Sequence, residues 1–109
     1  CRTAIRLMRR AGRRGAIVNV ASTTAFAALP GDVAYTASKG AVRMLTKSVA
    51  AYCGREGLAI RCNALAPGAT DTGMLAPVPP EVRSAMAGMS VFNRIAAPEE
   101  LAAGIAFLA

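Results

Sequence analysis

The order of its hydrophobic periods constrains this chain more than any other feature. A β-branched run from Ala16 to Val20 is followed, after a turn-like stretch, by a helical pattern from Val33 to Cys53 and at once by a second apolar run, Ala59 to Leu65. Short, continuously apolar runs bounded by glycine read as strands buried on both faces. Between them Val42, Leu45, Val49 and Tyr52 recur at three- and four-residue spacing, which gives a helix an apolar face. Strand, long helix, strand is a βαβ unit, so the two strands should lie parallel with a right-handed crossover. The chain is therefore expected to be α/β.

Local signals set the boundaries. Pro30-Gly31 marks a turn, Asp32 is a suitable N-cap for the long helix, and Gly54 and Gly57 are expected to end it. Residues 2 to 11 read as a helix that Gly12 to Gly15 break. A short helix is expected from Glu81 to Met89 within a proline-rich irregular stretch. Pro98 at a first helical position, with Glu99 and Glu100 in the first turn complementing the macrodipole, starts a last helix whose stripe is Leu101, Ile105 and Leu108.

An apolar content of 54% with mean hydropathy +0.39 excludes a disordered segment. No apolar run approaches the ~18 residues of a membrane span, and no secretory signal is recognisable, so a cytoplasmic protein is expected. With no His, and with Cys1, Cys53 and Cys62 lacking Cys-x-x-Cys spacing, no metal site is expected and the cysteines read as reduced thiols. Net charge is +7, and Arg2, Arg6, Arg9, Arg10, Arg13 and Arg14 all precede the first acid, Asp32. Without interleaved aromatic residues this cluster reads as the solvated side of an amphipathic helix, with Ile5 and Met8 inward, rather than a nucleic-acid surface. Cys1 in place of a start methionine, and an end at Phe107-Leu108-Ala109 inside a helical pattern, lead us to expect a chain truncated at both ends.

Three side chains carry candidate chemistry. Ser22 falls just past the carboxyl end of the first strand, where open α/β sheets hold their ligands, and Tyr35 and Lys39 follow as a Tyr-x-x-x-Lys pair at the start of the long helix. Carbonyl reduction needs an acid for the oxygen that also works in reverse. A lysine one turn from a tyrosine lies on the same helix face and brings positive charge to the phenol oxygen. A serine hydroxyl beside them can orient a substrate oxygen and stabilise charge on it.

The run Ile17-Val18-Asn19-Val20-Ala21-Ser22, then Tyr35-Thr36-Ala37-Ser38-Lys39 thirteen residues after Ser22, resembles the active-site region of the short-chain dehydrogenase/reductase family. The resemblance implies part of a Rossmann-type doubly wound parallel sheet, with residues 1–109 a partial domain. It also implies hydride transfer between NAD or NADP and a small alcohol or carbonyl substrate. By it, Ser22, Tyr35 and Lys39 are catalytic, and Tyr35 and Lys39 also meet the cofactor.

Asn63 to Thr72 resembles the family's nicotinamide-side loop, in which Pro67 and Gly68 approach the ring, the Thr70 backbone meets the carboxamide, and the Thr72 hydroxyl supports the carboxamide or phosphate. Residues 73 to 92 resemble a substrate lid, where Met74, Leu75, Met86, Met89, Val91 and Phe92 either line a pocket or pack under the loop. The family's Gly-rich dinucleotide turn has no counterpart in this chain, and its further catalytic asparagine would fall before Cys1; Asn19 and Asn63 occupy other positions. The resemblance further implies a homodimer or homotetramer joined through the two long helices. A non-catalytic binding protein on the same fold remains the alternative.

Overall fold

The computed structural model describes all of residues 1–109. The elements in order are helix α1 (Arg2–Arg10), strand β1 (Gly15–Val20), a 3-10 turn (Thr23–Ala25), helix α2 (Val33–Arg55), strand β2 (Ile60–Leu65), a second 3-10 turn (Gly73–Leu75), and helices α3 (Pro80–Gly88) and α4 (Pro98–Leu108). β1 and β2 pair in parallel, Gly15 opposite Ile60 through Val20 opposite Leu65, as the βαβ pattern requires.

Each boundary has a local cause. Asp32 caps α2, its Oδ1 accepting the Tyr35 N–H at 3.1 Å. Gly54, expected to end α2, lies instead within its last turn; the stop is Gly57, whose φ of +64 needs a residue without a Cβ. At the other end of the unit α1 crosses so close to β1 that a Cβ at Gly15 would collide with the Met8 sulfur. Glu100 Oε2 accepts the Ala97 N–H at 2.8 Å to open α4, and the Arg61 guanidinium ties the helix to β2 by donating to the Leu108 and Ala109 oxygens.

Strand alternation sorts the helices onto two faces. Ile60 and Cys62 of β2 pack with Val49 and Cys53 of α2, joined by Ile5 and Met8 of α1 and Ile17 of β1. Arg61 and Leu65, on the opposite pleat, reach α4: Arg61 through its hydrogen bonds and Leu65 against Gly104. Helices therefore cover both faces of the sheet, the arrangement of a doubly wound fold.

The buried face of α2 is narrower than its periodicity suggests. Thr46, Val49 and Cys53 are buried, whereas Leu45 and Tyr52 of the expected stripe face outward beside Met44. Only eight residues are buried, and the radius of gyration is 16.3 Å, against about 13 Å for a compact domain of this length. Cys53 and Cys62 act as small apolar fillers, and burial, aided by neighbouring Cys53, pushes the Cys62 thiol up from its ordinary value. The arginines of α1 are solvent-exposed, with none of the helix's residues fully buried. No helix is long and apolar enough to cross a membrane.

Candidate active site

β1 delivers Ser22 to the carboxyl end of the sheet. Its backbone remains tied to β2 beyond the last strand residue, Ala21 N–H donating to Leu65 at 2.8 Å and Thr23 N–H to Pro67 at 2.9 Å. These two bonds align the segment after β1 with the loop after β2. Ser22 is buried, 7% exposed, and its Oγ accepts the Thr24 N–H at 3.2 Å, capping the first 3-10 turn. Arg43 of α2 stacks over the Phe26 ring at 4.2 Å, holding that turn's far end against the helix.

α2 brings the other two residues. The Asp32 cap fixes the first turn, which carries Tyr35, and Tyr35 is 38% exposed. Lys39 follows one turn later, and its Nζ donates to the Val20 carbonyl at 3.1 Å while lying 5.5 Å from the Tyr35 ring centroid. The lysine thus bridges the tyrosine to the strand end that carries Ser22. No hydrogen bond joins Ser22 to Tyr35 directly; the two side chains share one end of the sheet through Lys39 and the 3-10 turn.

The loop after β2 presents backbone rather than side chains. Thr70 bridges to Ala96: Asp71 N–H donates to Ala96 at 2.9 Å and Ala96 N–H to Ala69 at 3.0 Å. In a parallel bridge these bonds use the neighbours' groups and turn the N–H and C=O of Thr70 itself to the other side, where neither has a partner within the chain. The Thr70 hydroxyl folds back onto Gly68 at 3.2 Å. A Cβ at Gly68 would meet nothing within 4 Å, so no packing within the chain demands glycine there. Thr72 precedes the second 3-10 turn with its hydroxyl making no capping bond.

Residues 73 to 92 stand apart from the core. Leu75 and Met86 are half-buried, but Met74, Met89, Val91 and Phe92 are largely exposed and do not pack under the loop. No group of three or more His, Cys, Asp or Glu side chains is close enough to hold a metal ion.

Two ties at this end of the molecule escaped the sequence reading. Asn19 Nδ2 donates to Thr46 Oγ1 at 2.9 Å, fastening β1 to α2, and Arg83 donates to Asp71 Oδ1 at 2.7 Å and to the Leu75 carbonyl at 3.0 Å. Neither partner is at helix spacing from the other, so periodicity carried no signal for them.

Comparison with known proteins identifies the family and the fold. A family model described as enoyl-(acyl carrier protein) reductase matches residues 1–109. The chain is 44% identical to cis-4-hydroxycyclohexanecarboxylate dehydrogenase of Sinomonas cyclohexanicum over 106 residues, 97% of this chain and 41% of that protein. It is 43% identical to 3beta-hydroxysteroid dehydrogenase 2 of Eggerthella lenta, covering 99% of this chain and 42% of that one. Among solved structures, ElxO with NADP bound superposes with a TM-score of 0.84 at 30% identity, over 97% of this chain and 43% of its own. The 3-oxoacyl-[acyl-carrier protein] reductase of Brucella melitensis superposes at 0.82 and 36%, over 93% and 37%. The chain spans about two fifths of the length of these relatives. These matches, over a parallel βαβ unit, show that the chain belongs to the short-chain dehydrogenase/reductase family.

Proposed function

We propose that this chain supplies the catalytic half of an NAD(P)-dependent oxidoreductase acting on an alcohol or its carbonyl. The observation that carries the reading is the Lys39 ammonium, hydrogen-bonded to Val20 at the end of β1 and one helical turn from Tyr35.

The loop residues fit a nicotinamide carboxamide. A primary amide offers a donor and an acceptor, and the unpaired N–H and C=O of Thr70 complement it. Open space beside Gly68 and the uncapped Thr72 hydroxyl favour the same ligand. When bound, the nicotinamide supplies or accepts the hydride.

The chain's own residues move and stabilise the proton. Tyr35 Oη donates it to the substrate oxygen in reduction and takes it back in oxidation. The Lys39 ammonium lies beside the Tyr35 ring, and its link to Val20 holds the tyrosine's helix against the strand end. Ser22, buried at the same end of the sheet, offers a hydroxyl donor for the oxygen that gains charge.

The lid's exposed Met74, Met89, Val91 and Phe92 favour a substrate with an apolar body, covered when the lid closes. The relatives named as dehydrogenases of a hydroxycyclohexane carboxylate and a hydroxysteroid support a cyclic secondary alcohol. Met44, Leu45 and Tyr52 on the outward face of α2 support a homodimer or homotetramer joined there. Free thiols throughout suit a reducing compartment, and we assign the cytoplasm.

The test is Tyr35→Phe in the full-length protein, assayed by nucleotide absorbance against cyclic secondary alcohols, hydroxysteroids and 3-hydroxyacyl thioesters. Turnover should fall by about 10²–10⁴-fold, the usual worth of a general acid or base, with nucleotide affinity nearly unchanged. Undiminished turnover would rule out Tyr35 as the proton donor.

A further inference from the structure

Arg83 is the only ion-paired side chain that crosses from the lid to the loop after β2. Its guanidinium spends two donors on different parts of the site: one on the Asp71 carboxylate at 2.7 Å, the other on the Leu75 carbonyl in the second 3-10 turn at 3.0 Å. The arginine side chain is 30% exposed and its partner 60%. α3 carries no buried residue, so apolar packing contributes little to holding this helix in place. One planar cation therefore closes the twelve-residue path from Asp71 to Arg83, a geometry that a guanidinium fork holds and a lysine cannot reproduce.

The other end of that tie is the loop itself. Asp71 stands between Thr70, whose N–H and C=O are unpaired, and Thr72, whose hydroxyl makes no cap. The Asp71 backbone is also fixed, its N–H bonded to Ala96. A ligand that orders residues 70 to 72 thereby orders the carboxylate that Arg83 grips.

We propose that Arg83 is a positioning residue that couples the nicotinamide loop to the substrate lid, so that nucleotide binding sets α3 over the substrate. The inference rests on the assignment of residues 67 to 72 to the nucleotide. Coupling is reciprocal: the lid's ordered state and nucleotide affinity favour one another through the same two bonds.

The test uses the full-length protein with NADH and NADPH as probes, Arg83→Ala, Arg83→Lys and Asp71→Asn as variants, and hydrogen–deuterium exchange of residues 73–92 as readout. In the wild type the bound nucleotide should slow exchange there by about tenfold or more. In Arg83→Ala the nucleotide-dependent difference should shrink to about twofold or less, while nucleotide fluorescence gives a Kd within about tenfold of wild type. Arg83→Lys, which keeps one of the two bonds, and Asp71→Asn, which keeps an acceptor oxygen for Arg83 but removes its charge, should fall between and guard against a variant that fails to fold.

Full nucleotide-dependent slowing in Arg83→Ala overturns the proposal. So does exchange that is faster by the same factor with and without nucleotide, since that marks a purely structural tie. If the wild type binds neither nucleotide, the loop assignment itself fails and takes the coupling with it. A nucleotide that binds the wild type without changing exchange of the lid overturns the coupling alone.

Discussion

Lys39 and Val20 are joined across the βαβ unit: the lysine Nζ donates to the valine carbonyl at 3.1 Å, nineteen residues away in sequence. That carbonyl closes the last position of β1, so the bond fixes where the helix bearing Tyr35 meets the strand leading to Ser22. Removing it loosens a position and removes a charge together. Lys39→Met should weaken nucleotide binding by roughly 10-fold to 100-fold, the worth of a hydrogen bond to a charged group, and should lower turnover beyond that. Lys39→Arg should recover part of the affinity and less of the rate. Fluorescence titration and steady-state rates separate the two, and unchanged values in Lys39→Met would reduce Lys39 to a surface residue.

Asn19 offers a contrast, because it ties the same strand to the same helix without facing the proposed chemistry. Its Nδ2 donates to Thr46 Oγ1, and Thr46 in turn donates to the Val42 carbonyl. We expect Asn19→Ala to lower stability by about 1 kcal/mol, the net worth of one such bond, while leaving the nucleotide Kd unaltered. Urea unfolding beside a nucleotide titration checks it; an affinity loss matching that of Lys39→Met would overturn the distinction.

Thr24 Oγ1 is enclosed next to Ser22 with no hydrogen-bond partner. A buried hydroxyl left unpaired is unfavourable, and a methyl of the same size is not. Thr24→Val is thus expected to raise the unfolding free energy by about 1 kcal/mol. A stability loss of that size would show that the hydroxyl finds a partner in the full-length protein.

Arg94 and Glu100 form a two-pronged ion pair at 2.6 and 2.7 Å, and Glu100 also accepts the Ala97 N–H. The hydrogen bond from Arg94, then that from Ala97, lowers the Glu100 pKa from 4.5 to about 2. A carboxylate whose folded value is depressed adds stability that is complete above its unfolded value and disappears as pH falls through the folded one. The contribution should therefore be present above about pH 4.5 and be lost toward pH 2. Both side chains are about half exposed, so it should be small and shrink in high salt. Comparing Glu100→Gln with wild type in urea at pH 6 and pH 3 tests the sign: the gap between them should narrow at the lower pH.

Much of the unit could be read before any coordinates, because strand and helix periods are local properties of the backbone. The 16–20 and 59–65 runs, the Asp32 cap and the Pro98 start all appear where propensity and capping put them, within a residue or two. Gly54 and Gly57 show the limit of such signals. Both are plausible stops, and only the one whose backbone takes a positive φ ends the helix. Leu45 and Tyr52 show another: they share the periodicity of Val49 yet face outward, since a stripe wider than one contact does not say which edge meets the sheet.

By itself, then, the sequence determined the α/β order, the caps and the spacing of Ser22, Tyr35 and Lys39, all of which follow from short-range geometry. Only the tertiary structure decided that Lys39 reaches Val20, that the Thr70 bridge leaves its own amide groups unpaired, and that Arg83 joins α3 to Asp71. Those relations depend on where segments distant in sequence come to rest against one another. Side-chain reach across such gaps has no period to be read, and the packing of the sheet against its helices sets it.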